Sequence, residues 1–233
     1  MAVPPNTDAA FLREVDEELR RDQVAKAAKR YGIAAIALVV LALLGFGGWL
    51  LWQSHEQSVA GEQGEALSKA YEDMGSNRID SARAKLTTLA ASNIGGYRAL
   101  ALMSQADLLL QKQDLRGAAA KFAQVASDGS IGQPLRDLAL VRQTTAEFDS
   151  LKPDVVIARL RGIAVKGNPW FGNAGELVAI SYLRQNRRDL AGVLYGQIAR
   201  DPNTEETLRQ RAVQMAGVLG VDAVTEAKEQ KSQ

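Results

Sequence analysis

The sequence predicts an all-α chain: a single N-terminal transmembrane helix followed by an α-solenoid of helix-turn-helix repeats. Three observations predict it. An uncharged apolar run of membrane-crossing length lies near the N-terminus. Beyond it, apolar residues recur at helical spacing in segments separated by Pro134, Pro153, Pro169 and Pro202, the residue type that stops or starts a helix. Small residues recur along those segments with a near-constant period, the mark of a repeat architecture. Composition agrees, because an alanine-rich chain with 6% aromatic residues favours helix over sheet.

The membrane element comes first. No charged residue occurs from Tyr31 to Ser54, and Ile33 to Trp52 is a continuous apolar stretch of 20 residues. At about 1.5 Å per residue such a helix matches a hydrocarbon core of roughly 30 Å. Trp49 and Trp52 close one end and Tyr31 the other, where amphipathic rings favour the headgroups. The span is assigned to 32–53. A cleavable signal peptide competes, since Ser58-Val59-Ala60 has small residues at cleavage-site spacing, but its apolar region runs about 7–15 residues. Orientation follows from the flanks: Arg20, Arg21, Lys26, Lys29 and Arg30 precede the span, whereas Glu56, Glu62, Glu65, Glu72 and Asp73 follow it. The basic side stays in the cytoplasm. The C-terminal body is then expected in the periplasm of a bacterial inner membrane.

Before the span, residues 1–10 read as disordered. Residues 11–31 read as a cytoplasmic amphipathic juxtamembrane helix, with Phe11, Leu12, Val15 and Leu19 on one face. Two roles stand side by side for it, lying on the bilayer surface or docking to a membrane partner.

After the span, Ala70, Ala106, Thr144 and Ala179 are separated by 36, 38 and 35 residues. Ala82, Ala118, Val156 and Ala191 repeat those separations, as do Leu86, Phe122, Leu160 and Tyr195. Two small residues twelve apart let the backbones of a helical hairpin approach, and the larger residue four further on fills the gap toward the next hairpin. These are tetratricopeptide-like positions, for which the usual period is about 34 residues. Helices are predicted at 57–75 and 79–92, 97–112 and 115–127, 134–150 and 154–166, and 170–185 and 189–200. A ninth helix at 204–218 would cap the stack. Asp80, Asp154 and Asp189 are placed to cap the second helices, and Asp114 signals a different turn. The repeat domain is assigned to 54–219 and a flexible tail to 220–233.

The inner face of each first helix would form a partner-binding groove. Its candidates are Leu67, Tyr71, Met74, Met103, Leu110, Val141, Phe148, Ile180 and Leu183. An apolar groove suits amphipathic or unfolded segments, and the competing reading of the same residues is ordinary core. Catalytic chemistry has little to work with. The chain has no cysteine and one histidine, His55, just beyond the span. Ser81 and Lys85 sit near each other without an evident third group to activate them. No catalytic residue, cofactor, metal or small-molecule substrate is predicted. With 28 Lys and Arg against 27 Asp and Glu, nothing in the overall charge calls for nucleic acid.

The flanks of the span carry a further signal. Asp22-Gln23-Val24 and the basic Lys29-Arg30 lead into it, Gly48-Trp49-x-x-Trp52 and Ser54-His55 close it, and Ala70-Tyr71 opens the repeats. This layout resembles the YfgM-like ancillary subunits of the SecYEG translocon, and FLREVDEELRRDQ is similar to their alphaproteobacterial relatives. The resemblance implies an inner-membrane protein beside the SecYEG channel. It would associate with a PpiD-like membrane-anchored chaperone and pass secreted proteins to periplasmic folding factors. It brings no catalytic residues, and the N-terminal extension here is longer than in enterobacterial members. The alternative on the same fold is an organiser of envelope or cell-division complexes.

Overall fold

The computed structural model describes residues 7–223. Residues 1–6 and 224–233, parts of the expected disordered start and flexible tail, lie outside the described residues. So do the side chains at 11–19, on which the amphipathic face rests. The chain divides into two units, Met1–Gly61 and Glu62–Gln233.

Helix α1 spans Thr7–Gly75. The three expected N-terminal helices are therefore one helical assignment, and residues 7–10 belong to it rather than to a disordered start. No proline falls between residues 6 and 75 to break the ladder. In the first unit, α1 is long and apolar enough to cross a membrane. Its described large side chains from Ile36 to Trp52 are exposed, Leu51 at 75% and Leu41 at 70%. The Phe46 and Trp49 rings lie 5.8 Å apart, centroid to centroid.

In the second unit the end of α1 pairs with α2 (Ile79–Leu89). The pairs α3 (Gly95–Gln111) with α4 (Leu115–Ser127), α5 (Gln133–Glu147) with α6 (Pro153–Leu160), and α7 (Phe171–Arg184) with α8 (Arg188–Ala199) follow, and α9 (Glu206–Val218) closes the series. The twelve repeat positions are the centre of this packing. Ala70, Ala82 and Leu86 have no exposed surface. The same holds for Ala106, Ala118 and Phe122, for Thr144, Val156 and Leu160, and for Ala179 and Ala191, while Tyr195 keeps only 2%. Thr144 is tolerated because its hydroxyl donates to the Leu140 carbonyl at 2.7 Å, so no polar group is left unpaired.

Three of the four hairpins use one turn. Asn77, Gln113 and Asn186 adopt φ near +60°. Each following N–H reaches back five residues: Arg78 to Asp73, Asp114 to Leu109 and Arg187 to Tyr182, at 2.8–2.9 Å. This is the Schellman closure, which satisfies the carbonyls at a helix end. It also corrects the expected caps. Arg78, Lys152 and Arg187 occupy the capping positions of α2, α6 and α8 without a side-chain bond. Asp80, Asp154 and Asp189 lie in the first turn, where a carboxylate acts on the helix dipole instead. Asp114 is the residue that caps, its carboxylate accepting the Gly117 N–H at 2.8 Å. The third hairpin is closed by Pro153 at the start of α6.

The remaining boundaries fall within three residues of expectation except at two places. Helix α6 ends at Leu160 rather than 166, because Ile163 turns inward to 5% exposure and Gly167 takes φ +91°. Residues 220–223 are not part of a tail. Gly220, at φ +80°, closes α9 with the same Schellman pattern, the Val221 N–H donating to Ala216 at 2.9 Å. Val221 then lies over α8 so closely that a Cβ on Gly192 or Gly196 would come within 3.0 Å of it. Ala223 is 4% exposed in the core.

Two stability measurements check this account by urea unfolding of the full chain in detergent. Phe122→Ala removes a fully buried ring and is expected to cost about 3–5 kcal/mol. Gln113→Gly relieves a left-handed non-glycine residue and is expected to stabilise by about 0.5–1 kcal/mol.

Candidate functional site

A binding surface on stacked hairpins is whatever the packing leaves uncovered, and the two sides of this stack differ. First helices meet across repeats, α3 with α5, α5 with α7 and α7 with α9. Among the described residues the second helices α2, α4, α6 and α8 do not meet one another. The first-helix side is a closed seam, and the second-helix side has clefts.

Ionic contacts tie the seam. Arg142 on α5 pairs with Asp107 on α3, and Arg211 on α9 holds Glu176 on α7 through two bonds of 2.9 and 3.0 Å. Arg184 donates to the Phe148 and Leu151 carbonyls at 3.2 and 3.1 Å, its guanidinium 5.3 Å from the Phe148 ring centre.

The predicted groove residues separate into two groups against this seam. Leu67, Met103 and Val141 are 5–7% exposed and belong to three different core clusters. They have almost no surface to offer a partner. Met74, Leu110, Phe148, Ile180 and Leu183 are half-buried, and Tyr71 is exposed at 43%. The Ser104 hydroxyl lies 3.4 Å from the Tyr71 hydroxyl and joins α3 to α1.

The carboxylate missing from the Ser81 and Lys85 pair is Asp73. It accepts from Arg78 at 2.8 Å, from the Ser81 hydroxyl at 2.6 Å and from Lys85 at 2.5 Å, and Lys85 also donates to Ser81 at 2.8 Å. The four side chains resemble an activated serine only in composition. The bonds from Lys85, Ser81 and Arg78, in that order, hold the Asp73 carboxyl well below the usual carboxylate range, so it is a poor base. The Lys85 ammonium is committed to Asp73 as an ion pair. The group locks α1 to α2. His55 is exposed, and among the described residues no three His, Asp or Glu side chains gather as a metal ion would require. A second carboxylate, Asp128, is lowered to about 2 by Ser130 and then Arg98, fixing the α4–α5 connection against α3.

Sequence reasoning missed the second-helix side. A cleft of about 390 Å³ lies between α2, α3 and α4, and one of about 280 Å³ between α6, α7 and α8. They are equivalent places in the repeat: Thr87, Leu109 and Lys121 of the first correspond to Arg161, Tyr182 and Leu194 of the second. The shared spacing of those residues, carried through the same alignment that aligned the alanines, was the available signal.

The architecture is that of a helical-repeat protein with a candidate membrane helix. Residues 28–217 match the tetratricopeptide repeat-like domain family, and the chain belongs to that family. A relative from Escherichia coli (strain K12), the ancillary SecYEG translocon subunit, is 28% identical over 163 residues, covering 69% of this chain and 77% of its own length. No solved structure matches.

The Asp73 lock has a definite pH signature. Folding lowers this pKa, so the contribution is present above the ordinary aspartate value of about 4 and is lost as pH falls below it. Urea unfolding between pH 5 and pH 2 is expected to show a steeper loss for the native chain than for Asp73→Asn. Equal slopes would remove the assignment.

Proposed function

We propose that this protein is a non-enzymatic binding subunit of the bacterial inner membrane, ancillary to the SecYEG translocon. The span 32–53 anchors it, the N-terminus is cytoplasmic, and the repeat domain stands in the periplasm. The observation that carries the reading is the family match over residues 28–217, which takes in the apolar helix and the repeats as one unit. Similarity to the ancillary SecYEG translocon subunit of Escherichia coli supports that setting. Charge supports the orientation, with Arg20, Arg21, Lys29 and Arg30 before the span and mostly acidic residues after it.

In this reading Tyr71, Leu110, Phe148, Ile180 and Leu183 form the partner surface on the first helices. They offer half-covered apolar area beside paired charges, which suits transient contact with an unfolded or amphipathic segment. Leu67, Met103 and Val141 support that surface from beneath. A PpiD-like membrane-anchored chaperone and secreted clients passing to folding factors are the expected partners.

Two measurements test this. Alkaline phosphatase fused after residue 233 is expected to be active and β-galactosidase fused there inactive; the reverse result overturns the orientation. A photo-crosslinking amino acid at Tyr71 or Leu183, in intact membranes at native expression, is expected to capture Sec subunits, the chaperone or a secreted client. The same probe at fully buried Ala106 should capture none. Capture of none from Tyr71 and Leu183 would count against the partner reading.

A further inference from the structure

The connections that lead from one hairpin to the next, and from the last hairpin to α9, differ in charge. Residues 90–94 carry none, 128–132 carry Asp128, and 200–205 carry Asp201 and Glu205 against Arg200. The connection 161–170 is the longest of them and carries Arg161 and Lys166 with no acidic residue. Both cations are exposed, and neither pairs with a carboxylate among the described residues. Val165, next to Lys166, is 48% exposed, an aliphatic side chain left in water.

The fold holds this connection in place. Ile163 is 5% exposed and anchors its first half in the core. The Asn168 amide donates to Asp137 on α5 at 2.9 Å, and its side-chain oxygen accepts the Trp170 N–H at 2.8 Å. The Trp170 indole donates to the Pro134 carbonyl at 2.7 Å. Between these anchors the Asn168 N–H closes a turn on the Val165 carbonyl at 3.2 Å. Gly167 supplies the φ of +91° that such a turn needs at its third position. Val165 and Lys166 are thus displayed on a supported turn.

Position in the repeat says what the turn faces. Phe171 at the start of α7 and Glu62 on α1 each lie eight residues before the small residue of their helix, Ala179 and Ala70. The connection 161–170 is therefore at the end of the hairpins where α1 enters the repeats. Glu62 follows Trp52, the close of the apolar run, by ten residues, about 15 Å of helix. An aliphatic side chain beside cations, with no acid near in the chain, suits a bilayer interface: the apolar group enters the headgroup layer and the cations meet phosphates. So small a contact is weak by itself, but a short tether raises the effective concentration enough to hold it.

We infer that the 161–170 connection is a membrane contact, in which Val165 enters an anionic lipid surface and Arg161 and Lys166 meet its phosphates. The inference rests on the anchored reading of the chain proposed above. It gives the repeat domain a second attachment besides the span, so that the repeats meet the bilayer in one orientation.

The chain has no cysteine, which allows single labels to be placed in it. The test uses the full chain with Gly162→Cys, an exposed position where a Cβ meets nothing within 4 Å, carrying a nitrobenzoxadiazole label. It is reconstituted in nanodiscs that contain lipid spin-labelled at the headgroup. Quenching is expected to be at least twofold stronger when the discs contain phosphatidylglycerol than with phosphatidylcholine alone. It is expected to be at least threefold stronger than from Gln111→Cys, at the turn end of its hairpin. Arg161→Glu combined with Lys166→Glu should abolish the phosphatidylglycerol increment, and Val165→Asp should lower quenching at least twofold, each with an unchanged circular dichroism spectrum. Equal quenching in both lipids, quenching indifferent to the charge reversal, or equal quenching from Gln111→Cys overturns the contact. Failure of the chain to enter the discs at all would overturn the anchored reading, and this contact with it.

Discussion

How closely two helices of a hairpin can approach sets the rest of the repeat domain. At Ala70 against Ala82, Ala106 against Ala118 and Ala179 against Ala191 there is no side chain beyond Cβ, and every one of these residues is fully covered. Close approach at these points brings Leu86, Phe122, Leu160 and Tyr195 into contact with the following hairpin. Dispersion and apolar burial then act along the whole stack, although no single hairpin encloses a core of its own. The larger pair, Thr144 and Val156, falls in the hairpin whose turn differs. That hairpin is closed by proline, and its second helix is the shortest of the set at 8 residues.

The same constraint explains why the two sides of the stack are unlike. First helices are pressed between their own partners and the neighbouring first helices, so apolar residues around much of their circumference are covered. Arginines at 142, 184 and 211 then bridge the seam to groups on the adjacent first helix or just beyond it. Second helices lack those lateral neighbours. The space between them is the cleft, and the character of each cleft is set by a few side chains that the fold leaves free to vary. Gln105 and Lys121 in one, against Val178 and Leu194 in the other, are variations of this kind.

Legibility in the sequence follows the same physics. The twelve repeat positions could be read because size at a fixed spacing is a property of the chain itself. The caps could not, since Asn77, Gln113 and Asn186 in the left-handed conformation decide where the next helix begins. That turn moves the capping position to Arg78, Asp114 and Arg187. Only at 114 does an aspartate stand there, so the position judged irregular is the one with a working cap. The groove was half legible for a related reason. A first helix buried on several sides shows one wide apolar stripe, in which core residues such as Leu67, Met103 and Val141 look the same as the half-exposed Leu110 and Phe148. Asp73 escaped notice because its partners at 78, 81 and 85 converge only after the hairpin closes.

The short segment after α9 shows how local chemistry can overrule average polarity. Residues from 220 onward read as solvated because charged and polar residues dominate that end of the sequence. Yet Gly220 can take a positive φ without strain, which turns Val221 back over α8. Gly192 and Gly196 provide the room, one helical turn apart on the surface that Val221 covers. No one of these glycines predicts the fold-back by itself. Together they make a receptor for one valine, and Ala223 completes the burial behind it. Helix α9 caps the stack, and residues 220–223 in turn cover part of the second helix in the final hairpin. The terminal seal therefore depends on a backbone conformation and two missing side chains, features that hydrophobic periodicity does not register.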